Sequence, residues 1–287
     1  MKTQKNLISI IVCSRSKEIP PTLSNNINST IGDIDYEIVW IDNSVNKYSI
    51  FEAYNMGVEK SKGEYLCFMH EDILFHSNNW GEICITELAD IKIGILGVIG
   101  THFYSQFSTY WMDSGINHGK IIQGYEKKGK HCTEEWNWNK KDKYSNYVVA
   151  IDGLWMCCRK NIFTSNIRFD DHTFKGFHFY DMDFSFQAIK EGYKIKIVNE
   201  ILIEHTSPSF INQSFTENCL LFHKKWSNIL PFQSEFISDE DIKKFERKTI
   251  YNLCNLSYIN REQQQILNQP LHKLVSKITL LWQKWIK

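Results

Sequence analysis

Residues 63–75 read GEYLCFMHEDILF, an apolar run broken by His70, Glu71 and Asp72 before Ile73, Leu74 and Phe75 resume it. Ionisable groups at the end of a buried strand can hold a cation or move a proton. The arrangement recurs: Asp42 follows the apolar run EIVWI, Asp152 follows YVVAI, and Asp181 opens the helix-like stretch YDMDFSFQAIKEG. Any one such acid serves equally well as a solvated loop residue or a helix cap. Four of them, three at strand ends and one opening a helix, would share one edge of an open parallel sheet, where ligands bind. Carboxylates joined by histidine suit a divalent cation, Mg2+ or Mn2+. HEDILFH is not a zinc-protease motif, because His70 and His76 stand six residues apart and the segment reads as strand.

The elements that must position these groups are readable. LISIIVCS (7–14) is a β-branched run of the kind covered on both faces. A short helix is expected over 19–31 after Pro20-Pro21, a second buried strand over 36–44 and a helix over 49–63 that stops on Gly63. EYLCFMH is a third strand, residues 80–90 a helix and IGILGVIG (93–100) a further strand. Strand and helix alternating in this way imply βαβ units and a mostly parallel sheet. Residues 101–147 have little period and are expected as long loops, with Trp111, Trp136 and Trp138 forming a lid or an acceptor wall. YVVAIDGLWMCCRK (147–160) returns as strand, and the helix opened by Asp181 closes at Gly192 before another strand. Past residue 215 the chain reads as helices.

Composition narrows the function. Lys plus Arg equals Asp plus Glu at 33 each, which argues against a general nucleic-acid binder. The eight cysteines form no Cys-x-x-Cys pair. The N-terminal stretch lacks a signal-peptide apolar core, and no run reaches the roughly 18 apolar residues of a membrane span. The expectation is a cytoplasmic protein with reduced, mostly buried thiols.

Taken in order, the motifs resemble a family 2-type glycosyltransferase of the nucleotide-diphospho-sugar transferase (GT-A) fold. ISIIVCSR resembles the family's first strand and YEIVWIDNS its second. AYNMGVEKSKGEYLCFMHED is similar to the Ala-x-Asn-x-Gly helix followed by Gly-Glu-Tyr and the Asp-x-Asp strand. FYDMDFSFQAIKEGYKI resembles the Glu-Asp-x-Asp helix, and DGLWMCCRK, GFHFYD and IEHTSPSF resemble a bacterial glycosyltransferase-like subgroup. The likeness spans about residues 6–210.

That resemblance implies a GT-A domain over 1–215 and a helical region over 216–287. It implies nucleotide-sugar contacts by Ser14, Arg15, Asp42, Asn55, His70, Glu71, Asp152 and Gly153, with Asp42 on the nucleobase and Asn55 shaping the pocket. Asp72 and His205 would hold a divalent metal, Mn2+ or Mg2+, on the diphosphate. Asp181 would be the general base, supported by Asp183. Two positions depart from the pattern: His70 stands at the first Asp of Asp-x-Asp, and Tyr180 at the Glu before the base. The chemistry agrees with this division, since a departing diphosphate needs a Lewis acid and an acceptor hydroxyl needs a base. The implied reaction is inverting transfer to a surface glycan, glycolipid or glycoprotein precursor.

Other residues have two readings each. His178 is either a packed histidine or an acceptor contact, Trp155 either core or a sugar-stacking plane, and Gly153 would let backbone approach a ligand closely. Residues 270–287 place Leu271, Leu274, Val275, Ile278, Leu281, Trp282, Trp285 and Ile286 on one helical face, with Lys273, Lys277, Lys284 and Lys287 opposite. Such a helix lies on anionic lipid or packs on protein. Two rival functions remain. A sugar nucleotidyltransferase would want a Gly-rich loop that CSRSKEIPPT lacks, and a catalytically inactive nucleotide-sugar-binding protein is favoured by His70.

Overall fold

Leu7, Ile8, Ile10, Ile11 and Val12 are all buried, so the first strand lies inside the molecule with helices on both faces. The computed structural model describes residues 4–127, 129–139, 144–164, 166–207 and 213–255. The chain runs through β1 (Gln4–Ser14), α1 (Pro21–Thr30), β2 (Tyr36–Asp42), α2 (Ile50–Lys60), β3 (Gly63–Met69), β4 (Ile73–Phe75), α3 (Trp80–Leu88) and β5 (Ile93–Gly97). It continues through β6 (Ile99–Thr101), β7 (Phe103–Tyr104), β8 (Asn117–Lys127), β9 (Lys130–Asn137), β10 (Tyr147–Val148), β11 (Ala150–Ile151) and β12 (Trp155–Arg159). Then come α4 (Tyr180–Lys190), β13 (Lys194–Ile197), β14 (Ile203–His205), α5 (Gln213–Trp226), β15 (Phe232–Gln233) and α6 (Asp239–Asn255).

A seven-stranded sheet has the order β10-β13-β5-β12-β3-β1-β2. β1 pairs in parallel with β2 and β3, and β13 with β5, whereas β12 runs antiparallel between β3 and β5. The sheet is therefore mostly parallel, with β10 and β12 reversed. A second sheet, β11-β6-β8-β14-β4, stands at the carboxyl end of β3, and β9 extends it from β8. α2 starts on a reciprocal capping box in which Ser49 Oγ accepts the Glu52 amide and Glu52 accepts the Ser49 amide.

Two expectations need correction. Residues 117–137 form the β8–β9 hairpin rather than loop. β9 is mostly exposed on both faces, so no apolar alternation marks it. The stretch 147–160 is not one strand: β10 joins the first sheet, β11 the second and β12 the first again, with the Asp152-Gly153 turn between. Phe215, Cys219, Phe222 and Trp226 of α5 enter the main core. α6 packs Ile242 and Phe245 on a small cluster of Phe103, Ile116 and Ile237. Among the described residues no helix is long and apolar enough to cross a membrane. The amphipathic segment 270–287 lies outside them. Cys13, Cys67, Cys84, Cys132, Cys157, Cys158 and Cys219 are free, and all of these but Cys13 and Cys132 are buried.

Candidate metal and donor site

β3 ends at Met69, and the next amide, His70 N, donates to Leu154 O at 3.0 Å. Beyond it Asp72 O accepts both the Thr206 amide at 2.9 Å and Thr206 Oγ1 at 3.0 Å. The antiparallel register of β14 on β4 sets His205 opposite Ile73, beside Asp72. Gln123 Nε2 holds this edge by donating to Gly124 O and Ser207 O, each at 2.9 Å. Two separate stretches of chain thus deliver three ligand atoms, from His70, Asp72 and His205, all within 4.8 Å of one another.

The carboxylate of Asp72 faces one imidazole with each oxygen: His205 Nε2 at 3.6 Å and His70 Nδ1 at 3.9 Å. Both separations exceed a hydrogen bond. They approach the spacing of about 3–3.5 Å kept by two atoms that share one ion at about 2.1 Å. The residues therefore fit a divalent cation. Burial, then the neighbouring His205, holds the His70 imidazole down at about 4, leaving it neutral near pH 7. A neutral imidazole keeps one lone pair free for a metal.

Behind the cluster the chain is linked by contact. His70 Nε2 lies 2.7 Å from Tyr180 Oη. The Tyr180 ring fills the space beside Gly153, where a Cβ would stand 2.2 Å from Oη. The close approach expected at Gly153 is thus made by Tyr180. Gly153 N donates to Asp181 Oδ2 at 2.8 Å, and the Met182 amide donates to Oδ1 at 2.8 Å. Burial, then the nearby Asp152, pushes the Asp181 carboxyl up to about 7. Asp152 accepts Trp111 Nε1 on Oδ2 and the Leu154 amide on Oδ1, both at 2.9 Å. From Trp111 the rings continue to Trp138 at 5.9 Å and on to Trp136 at 6.0 Å, an aromatic row leading away from Asp152.

The carboxyl ends of β1 and β2 complete the edge. Glu71 accepts the Ser14 hydroxyl and the Arg15 amide, joining β1 to the segment after β3. Asp42 pairs in register with Ser14 and is exposed. Its carboxylate is held below the usual range, chiefly by the Ser44 amide.

Three residues, Asn55, Trp155 and Asp183, lie elsewhere than expected, and the half-buried His178 keeps its packed reading. Asn55 clasps the loop before α4, with Nδ2 donating to Phe169 O at 2.7 Å and Oδ1 accepting the Phe169 amide at 3.2 Å. Both ends of its amide are occupied by the chain itself. Trp155 is 0% exposed and meets Trp80 and Phe75 edge-on, so its plane is closed to any sugar. His178 sets its ring against Phe215 of α5 at 5.3 Å. Asp183 points away from Asp181 and is bound by Lys225, Trp226 and Gln187. It anchors α5 and does not support Asp181. Sequence reasoning gave no role to Tyr180, though its departure from the family pattern was the available signal. The tie between Trp111 and Asp152 had no signal at all.

The mixed, mostly parallel sheet with carboxylates and imidazoles at its carboxyl edge has the GT-A fold, which the solved structure of GalNAc-T7 shares. The chain belongs to the glycosyltransferase-like family whose model matches residues 9–227. No curated protein sequence shows significant similarity to it. Among solved structures, GalNAc-T7 with UDP, GalNAc and Mn2+ is similar at 12% identity and a TM-score of 0.51, covering 88% of this chain and 56% of that one. The chain thus spans little more than half the length of that relative. The structure of S. aureus TarS 1-349 is similar at 14% identity and a TM-score of 0.46, covering 91% of this chain and 74% of that one.

Proposed function

We propose that the protein is a metal-assisted, inverting glycosyltransferase. It would move a sugar from a nucleotide-diphospho-sugar to a hydroxyl of a surface glycan, glycolipid or glycoprotein precursor. The observation that carries this reading is the meeting of His70, Asp72 and His205 at the carboxyl end of β3, with Asp181 connected to them through Gly153 and Tyr180. His70, Asp72 and His205 would hold Mn2+ or Mg2+. A divalent ion there supplies Lewis-acid stabilisation of charge on a departing diphosphate.

The remaining work falls to the chain. Asp42 is ionised and accepts only, which suits a nucleobase N–H. Ser14 and Arg15, both joined to Glu71, would line the donor between that base and the cation cluster. Asp181, poised at about 7, would take the acceptor hydroxyl proton as that oxygen attacks the anomeric carbon. One displacement of this kind inverts the centre. The half-buried Trp136 and Trp138 would offer apolar planes for a sugar acceptor, with the buried Trp111 behind them and closed to it. Peripheral contact of residues 270–287 with the membrane would bring the protein to a lipid-linked acceptor.

Thermal-shift measurement with a panel of UDP-, dTDP- and GDP-sugars, with and without Mn2+, tests the reading. One donor should stabilise the protein, and more so with Mn2+. Asp181→Asn should then abolish transfer while retaining donor binding. Binding without turnover by the natural protein would establish the non-catalytic alternative, and stabilisation by a nucleoside triphosphate alone would favour a nucleotidyltransferase.

A further inference from the structure

The phenol of Tyr180 is fixed in place. Its ring is 4% exposed, stands edge-on to Phe51 at 6.3 Å and to Tyr54 at 5.5 Å, and is backed by the side-chain-free Cα of Gly153. Its Oη therefore presents a stationary partner to His70 Nε2, 2.7 Å away. A neutral imidazole carries one proton, and whichever nitrogen holds it leaves the other with a lone pair. Here the two nitrogens face different surroundings. Nε2 faces Tyr180, while Nδ1 faces Asp72 Oδ1 at 3.9 Å, on the side where His205 Nε2 also meets Asp72. A proton on Nδ1 would point into that cluster and repel a cation. A proton on Nε2 is accepted by the phenol oxygen and frees Nδ1 to ligate.

We propose that Tyr180 is a positioning residue for the cation site. With an ion on Nδ1 the His70 proton sits on Nε2, and the phenol oxygen accepts it, holding the ring so that the Nδ1 lone pair joins Asp72 and His205 in a donor set of two imidazoles and one carboxylate. Imidazole suits transition-metal ions, whereas all-oxygen sets suit Mg2+. The site therefore selects Mn2+ or Co2+ over Mg2+, and its selectivity depends on a phenol that never touches the ion. The inference rests on the metal-holding part of the proposed function.

The test is Mn2+ and Mg2+ binding to the full chain, followed by titration calorimetry and by the Mn2+ resonance signal. The variants are Tyr180→Phe, His70→Asp and the double substitution. The natural protein should bind Mn2+ at least about ten-fold more tightly than Mg2+. Tyr180→Phe should weaken Mn2+ binding about 10–100-fold, the range for losing the partner of a ligating histidine. In the His70→Asp background the same change should cost less than about three-fold, because no imidazole remains to orient. Nitrogen-15 shifts of the His70 ring in the natural protein with diamagnetic Mg2+ bound should report the Nε2–H tautomer, a readout independent of whether any variant folds. An Nδ1–H tautomer there would overturn the proposal, as would unchanged Mn2+ affinity in Tyr180→Phe or an equal loss in both backgrounds. Failure of the natural protein to bind either ion would remove the metal centre itself, whereas normal binding that ignores Tyr180 would remove this inference alone.

Discussion

Lys225 Nζ lies 2.9 Å from Oδ2 of Asp183, a carboxylate that is 1% exposed. The same carboxylate accepts Trp226 Nε1 at 2.8 Å and Gln187 Nε2 at 2.6 Å, and Lys225 also donates to Asp170 Oδ2 at 2.7 Å. This network ties α5 to α4 and to the loop before it. Removing one member leaves a buried charge without its partner, which costs about 3–5 kcal/mol. Lys225→Met should therefore lower unfolding stability by about that amount in urea titration, with little change in the slope. A change below about 1 kcal/mol would mean that the apolar face of α5 holds the helix without the ion pair.

The raised Asp181 carboxyl makes two pH predictions of defined sign. Between the ordinary value of 3.8 and about 7 the folded protein holds a proton that the unfolded chain releases. The stabilisation is complete below 3.8 and is lost as pH rises through about 7. Its slope is at most about 1.4 kcal/mol per pH unit. Asp181→Asn should flatten the melting-temperature profile across that window. Transfer activity should run the opposite way, since a base works only when ionised. With that carboxyl at about 7, kcat/KM at pH 5 should be about 100-fold below its alkaline plateau. A profile flat from pH 5 to 8 would exclude Asp181 as the base.

Gly153 offers a more local probe. A Cβ there would stand 2.2 Å from Tyr180 Oη and 2.4 Å from Cζ, so Gly153→Ala must displace the phenol. Overpacking of this kind costs about 1–3 kcal/mol. It should also weaken Mn2+ binding, because Oη no longer meets His70. Gly192→Ala provides the contrast: nothing lies within 4 Å of its Cβ, but φ is +87°. That change should strain the turn after α4 and leave Mn2+ affinity unaltered. Equal loss of affinity in both variants would make the effect general destabilisation.

What was legible in the sequence follows from the range of each interaction. β1, β2 and β3 declare themselves because each is an apolar run closed by a polar residue, and the parallel alternation places those closing residues on one edge. The likeness to known motifs brought His205 to Asp72 across the chain. The contact of His70 with Tyr180 was not legible, because it spans 110 positions and depends on how closely the backbone at Gly153 lets a ring pass. Trp155 was undetermined because a strand apolar on both faces does not reveal which of its side chains borders the site and which lies in the core. Asp183 could have been placed: two residues apart on a helix point about 200° away from each other, so Asp181 and Asp183 cannot serve one site. β9 left no trace, its stability residing in backbone pairing with β8 and not in buried side chains.

The last prediction concerns residues 270–287, which carry Lys273, Lys277, Lys284 and Lys287 and no acidic residue. Drawn as a helix, the segment sets those lysines opposite Leu271, Leu274, Val275, Ile278, Leu281, Trp282, Trp285 and Ile286. Each lysine near an anionic bilayer contributes about 1 kcal/mol, and the apolar face adds the burial of its own surface. The whole chain should therefore float with liposomes containing anionic lipid and much less with neutral ones. Raising salt to about 1 M shortens the screening length to about 3 Å and should release most of it. Protein ending at residue 269 should stay at the bottom of the gradient under every condition. Equal flotation of the two forms would assign the segment to protein packing, and salt-insensitive flotation of the intact chain alone would assign binding to the apolar face without the lysines.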